Sequence, residues 1–296
     1  MRSRKELIST TFSVHSLILV VGLVTLAHAG ENQFVSFDFP DSTNTQATAI
    51  TPSGEIVGRY FSSDGRQHGF VLNEDRFTSL DVPSASFTDA AWINSRGDIV
   101  GTYTLEGESQ GHAYVLRNAT FTTIDFPSGN INTTGFGISN AGDVVGVGFV
   151  GSDFFHGHGY LFRQGQFTFI DFPGALGTFP TMVLNPRRVV GAYLDTNSTL
   201  HGFLLYNGEF STIDFPDSTD TWITGINSKG DAVGFYHSKD GKMHGFVRSK
   251  RKFVSVDIPD ANSTVTNGIN PQGNVVGFYT TPDGHTHGYF LAEALD

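Results

Sequence analysis

The stretch INSKGDAVGFYHSKDGKMHGF, residues 226–246, returns 43 residues later as INPQGNVVGFYTTPDGHTHGY, residues 269–289. Four weaker echoes lie upstream. They are easiest to align on a phrase of the form Phe-x-x-x-Asp-x-Pro, which begins at Phe34, Phe77, Phe121, Phe167, Phe210 and Phe253 with spacings of 43 to 46 residues. Self-similarity at such a period means one supersecondary unit copied and stacked, because a single unit cannot bury its own apolar face. Within the fifth unit, TWITGIN, DAVGFYH, HGFVR and FVSVDIP read as four short strands. The turns NSKGD, SKDGK and SKRK separate them, with Gly230 at a position that favours the left-handed region and Pro259 ending the last strand.

Four strands per unit of about 43 residues, six times over, is the pattern of a β-propeller blade. The ends of the chain agree. The first unit opens with a fourth strand, FVSFDFP at Phe34, and the last stops after a third, HGYFL. The orphan strand can complete the last blade and close the ring, removing exposed sheet edges. The expected fold is therefore all-β, a six-bladed propeller in a single domain over residues 30–296. Residues 1–29 read as a signal peptide. Arg2, Arg4 and Lys5 precede the apolar run LILVVGLVTLA, and Ala-His-Ala at 27–29 is a small-x-small cleavage site. The apolar run is shorter than the roughly 20 residues a membrane span needs.

The composition supports this reading. Gly 35 and Phe 27 are both high, and no convincing amphipathic helix follows the leader. There is no cysteine, which excludes disulfides, thiol nucleophiles and thiolate metal sites. Loss of the leader removes three basic residues and one acidic one, so the formal net charge goes from −11 to −13. Such a chain is a poor ligand for nucleic acid, whose phosphates need Lys and Arg. The local exception, Arg248, Lys250, Arg251 and Lys252, falls at a hairpin tip and reads as a solvated turn.

One histidine opens the third strand of every unit (His68, His112, His158, His201, His244, His287), and one aspartate closes every fourth strand (Asp81, Asp125, Asp171, Asp214, Asp257 and Asp38). Pairing Leu72 with Phe77 around a four-residue loop sets His68 opposite Asp81. The same register sets His287 opposite Asp38 across the closure. His–Asp pairs orient imidazoles in catalytic triads, but a pair present in every blade belongs to the scaffold. Each is expected to pin the third strand to the fourth, with His→Ala costing a similar amount at all six.

The phrases IN-x-x-G-x-VVG and DG-x-x-H-[GA]-[FY] resemble the bacterial extracellular repeat family called HAF, after its His-Ala-Phe step. Here the step is His-Gly-Phe at residues 68–70 and His-Ala-Tyr at 112–114. The resemblance runs from Phe34 to the C-terminus. It implies an exported repeat protein and assigns no catalytic residues.

Any specific function must then sit where the repeat is broken. The candidates are Phe87, Asp89, Phe179, Asp220 and Trp222 in the loops at the channel mouth, and His156 in an enlarged loop, VGSDFFHGHGY. Aromatic and acidic singletons suit a sugar or peptide ligand, and equally suit packing between blades. His156–His158 and His285–His287 are His-x-His pairs that would face one way on a strand, short of the ligand count a metal site needs. Asp41, Asp217 and Asp260 form an acidic rim, with calcium as the cofactor it would take. Trp92 replaces small residues at Ala49, Gly137, Gly225 and Gly268 and is a candidate channel plug. Near-uniform blades favour a monomeric, secreted or periplasmic scaffold that binds an extracellular protein or glycan. The alternative is a lyase or hydrolase of an extracellular saccharide or peptide, using His156, Asp89 and Asp220 at the channel mouth.

Overall fold

A computed structural model describes residues 34–127, 131–292 and 294; the basic and apolar leader at 1–29 lies outside the described residues. Strands form where β-branched and aromatic residues alternate, and end at turns carrying Gly, Asp or Asn. In the fifth unit they are Asp220–Ile226, Ala232–His237, Met243–Ser249 and Lys252–Val256, paired antiparallel in that order. Gly230 closes the first turn at φ 92, as its place in NSKGD requires.

Six such sheets occupy residues 44–80, 85–124, 131–169, 177–212, 220–256 and 263–291. Phe34–Phe37 supplies the outer strand of the sixth, pairing antiparallel with residues 288–291. The fold is a six-bladed β-propeller. The first strands are innermost: Ile50, Ile93, Ile138, Val183, Ile226 and Ile269, one from each blade, line a common central cavity. No ladder runs round the ring. Single parallel bridges, Asn44 to Thr286 and Gln67 to Phe87, join blades six, one and two, the Thr178 amide of blade four donates to the Gly157 carbonyl of blade three (3.1 Å), and side chains make further contacts between blades.

Two repeated devices account for most of the motif. The aromatic of His-[Gly/Ala]-[Phe/Tyr] is fully buried in every blade, at Phe70, Tyr114, Tyr160, Phe203, Phe246 and Tyr289. Each such burial stabilises by roughly 1.5–3 kcal/mol. The glycine of Val-Val-Gly passes so close to the first strand that a Cβ at Gly234 would overlap the Trp222 carbonyl oxygen, with Phe246 Cζ 2.8 Å away on the other side. The second device is a threonine near the start of each first strand. Thr45, Thr88, Thr133, Thr178, Thr221 and Thr264 are buried, and each hydroxyl accepts from the backbone N–H just after the repeated aspartate, over 2.9–3.4 Å. These bonds satisfy the crossing loops that carry the chain from one blade to the next.

Candidate functional site at the channel mouth

Trp92 does divide the channel. It is 6% exposed, and its ring reaches Gly225 on blade five, where an added Cβ would lie 2.8 Å from Cη2. The chamber above it, on the face that carries the crossing loops, has a volume of about 190 Å³. Its waist is a belt of hydrogen bonds between blades. Thr48 donates to the Ala90 carbonyl (2.7 Å), Thr181 to Ile223 (2.8 Å), Thr224 to Thr266 (2.7 Å) and Asn267 to Ala47 (2.8 Å). The equivalent positions in blades two and three are Ala91 and Phe136, which have no such group to give.

Above that interruption lies the most unusual carboxylate of the chain. Asp89 stands where the other blades carry Gln46, Thr134, Phe179, Trp222 and Val265. It is 6% exposed, and its Oδ2 lies 3.6 Å from Arg59 Nη1, while its buried Oδ1 has no hydrogen-bond partner among the described residues. Burial pushes the Asp89 carboxyl above its ordinary value, and the Arg59 charge pulls it part of the way back. Arg59 reaches in from the second strand of blade one, held by Gln46, whose Oε1 accepts from Nε over 2.7 Å.

Facing this pair is an aromatic wall. Phe179 is fully buried between Phe154 (5.1 Å between centroids) and Trp222 (5.3 Å), and Trp222 stacks in turn on Phe235 (6.0 Å). Phe136 meets Phe154 edge-on at 6.2 Å. Trp222 and Phe136 line the chamber itself, with Phe179 behind them.

The remaining sequence candidates do not join the chamber. Asp220 is paired to His237 Nδ1 at 2.8 Å, and Phe87 lies at the rim, half-buried, in the bridge to Gln67. His156 sits in a short 3-10 helix, Phe154–His156, and is paired to Asp153 at 2.7 Å. The expected strand geometry of His156–His158 is therefore not formed, because the enlarged loop coils before the strand begins at His158. His285 and His287 have ring centroids 6.5 Å apart. Among the described residues no group of three or more His, Cys, Asp or Glu is placed to hold a metal ion. Asp41, Asp217 and Asp260 have φ of 55, 60 and 62, the same conformation as Ser84 and Gly174 in the corresponding loops. Aspartate there serves a left-handed turn position that it tolerates better than most residues.

The repeated histidines and aspartates meet in all six blades, with Nδ1 to carboxylate distances between 2.6 and 3.1 Å. Their surroundings are not equal. In five blades the imidazole lies against a tyrosine of the second strand at 5.0–5.2 Å. Blade three has Gly148 at the tyrosine's position, and Phe126 occupies the space. The His158 side chain is accordingly 66% exposed, against 14% for His112. Equal costs at the six sites, expected from the repeat, do not follow from these environments.

No protein-family model matches the sequence, and no curated protein matches it. Solved structures do. AofleA from Arthrobotrys oligospora superposes with a TM-score of 0.58 at 13% identity, covering 90% of this chain and 89% of its own. The Aleuria aurantia lectin, described as a six-bladed β-propeller with a novel fucose recognition mode, gives 0.54 at 12% identity, covering 84% and 91%. A putative TolB from Agrobacterium tumefaciens gives 0.56 at 12%, covering 85% and 91%. At these identities the likeness establishes the shared fold.

Proposed function

We propose that the chain is a binding scaffold that takes a terminal sugar of an extracellular glycan in the chamber above Trp92. The observation that carries this reading is the unpartnered, buried Asp89 Oδ1, held beside Arg59 and opposite Trp222 and Phe136. A carboxylate and a guanidinium offer an acceptor and donors for vicinal hydroxyls, and aromatic faces take the apolar C–H side of a sugar ring. A volume of about 190 Å³ is below the roughly 300–1,000 Å³ of sites for larger ligands, which suits one ring or a chain end. The fucose recognition named for the Aleuria aurantia protein is consistent with a propeller used this way.

Export through the leader at 1–29, action outside the cytoplasm as a monomer, and kinship with the HAF repeats belong to the same proposal. Binding is favoured over chemistry because Asp89 is the one carboxylate lining the chamber; His156 and Asp220, the partners a hydrolase would enlist, are bound elsewhere. The test is a glycan array probed with the purified chain, its Asp89→Ala variant and its Trp222→Ala variant. The proposal predicts retention of a defined set of terminal sugars by the wild type and loss by both variants. Retention by all three would refute it.

A further inference from the structure

A cleft larger than the channel chamber lies away from the channel mouth. It has a volume of about 810 Å³ and lies between blades four and five, towards the opposite face. Five cationic side chains line it (Arg188, Lys229, Arg248, Lys250, Arg251) against a single carboxylate, Asp231, in a chain whose formal net charge is −11.

Two of these arginines break the repeat in opposite senses. Arg188 occupies a position that is Glu55, Asp98, Asp143, Asp231 or Asn274 in the other blades, three residues before the glycine of Val-Val-Gly. Arg248 occupies a position that is Leu72, Leu116, Phe162, Leu205 or Leu291, four residues after the repeated histidine. One replaces an acidic or amide side chain and the other an apolar one, in adjacent blades, and both face the same cleft. Neither has an ion pair or side-chain hydrogen bond among the described residues, and the Nε of each is buried without a partner. They rest instead over aromatic rings, Arg188 at 5.3 Å from Tyr206 and Arg248 at 5.5 Å from Phe253.

The one acid nearby does not neutralise them. Asp231 accepts from Ser249 (2.6 Å) and from Asn227 (3.1 Å). In blades two and three the corresponding acids, Asp98 and Asp143, take an arginine instead, Arg117 at 2.9 Å and Arg163 at 3.3 Å. Burial and the neighbouring Arg251 charge both disfavour the Arg248 cation as it stands. Both arginines are half-buried, and a cation held partly out of water with no counter-charge is costly to a fold unless something neutralises it.

We infer that this cleft is a second binding site, for a saccharide carrying carboxylate or sulfate groups. Guanidinium forks match planar oxyanions bidentately. The hydroxyls of Ser211, Thr212 and Ser249 can meet those of a sugar, and Ile213 and Ile223 give its rings an apolar floor. The volume exceeds what an inorganic anion needs and falls within the roughly 300–1,000 Å³ of small-molecule sites.

The test is calorimetric titration of the full chain with tetragalacturonate, with its methyl ester, with a sulfated disaccharide and with inorganic phosphate. Two variants restore the repeat's own residues and so preserve packing: Arg248→Leu and Arg188→Asp. The acidic saccharides should bind the wild type and weaken with added salt, and the ester should not bind. Each variant should lose roughly tenfold or more in affinity. Asp89→Asn should leave this binding unchanged, which separates the cleft from the channel chamber. Equal binding of ester and acid, undiminished binding by both variants, or binding of phosphate alone would overturn the inference.

Discussion

The unequal surroundings of the six His–Asp pairs set an unequal cost for removing them. His112 lies 3.1 Å from both oxygens of Asp125 and 3.4 Å from Glu108, and lies against Tyr103 at 5.1 Å. Its side chain is 14% exposed. His112→Ala therefore forfeits a hydrogen bond worth about 0.5–1.5 kcal/mol and an aromatic contact worth about 0.5–1.5 kcal/mol, together roughly 1–3 kcal/mol. His158 keeps its aspartate at 3.1 Å, but it is 66% exposed and has only an edge contact with Phe169 at 5.8 Å. An exposed pair of that kind contributes about 0–1 kcal/mol. Thermal unfolding of the two variants, followed by circular dichroism, reads the difference. At roughly 2–4 °C per kcal/mol for a chain of this order of size, His112→Ala should melt several degrees below the wild type and His158→Ala close to it. Equal losses, or a larger loss at His158, would refute the argument that packing around the imidazole carries the stabilisation.

Three further outcomes follow from the geometry. Asp89→Asn should raise the melting temperature at neutral pH while weakening ligand binding, since it removes a negative charge that burial disfavours and that Arg59 offsets only in part. The folded-state pKa of Asp89 is raised, so its contribution is most favourable below the ordinary carboxylate range and is lost as pH rises through the folded value. The stability gap between Asp89→Asn and wild type should accordingly widen from about pH 4 upward; a constant gap would show that the carboxyl is not perturbed. Gly234→Ala should cost about 1–3 kcal/mol or more in urea unfolding, because Cβ meets the Trp222 carbonyl and the fully buried Phe246 ring. A chain beginning at residue 44 lacks the outer strand of blade six and the Asp38 partner of His287; its urea midpoint should fall, and a peptide spanning residues 34–40 should restore it in part.

The repeat made most of the fold legible. Its period set the blade, and the offset of the Phe34 strand set the closure. Counting across one hairpin loop placed all six His–Asp pairs, because antiparallel register propagates by simple subtraction. The buried threonines at Thr45 and its equivalents were also visible as a repeated letter, but threonine is common in strands and its bond to the crossing loop has no signature of its own. The channel site was half legible. Asp89 and Trp222 stood out as departures from their equivalents. Arg59 did not, because its partner lies on the next blade and no spacing within a unit connects them. Phe154 was hidden for a similar reason: it reaches the wall only because the enlarged loop coils into a short helix. The basic cluster at 248–252 read as a solvated tip. Lys250 and Arg251 are such a tip, at φ 50 and 68, but Arg248 lines the cleft together with Arg188 of the neighbouring blade.

Both tryptophans of the chain, Trp92 and Trp222, line the upper chamber, so intrinsic fluorescence watches the proposed site directly. The most direct measurement is a fluorescence titration of the full chain with the sugars retained on the array, run in parallel on Asp89→Asn. A site in this chamber gives a saturable change in tryptophan emission for the wild type, at the concentrations where calorimetry reports binding, and loses it in the variant. Calorimetric binding with no change in emission, and with equal affinity in Asp89→Asn, would place the ligand elsewhere and contradict the account.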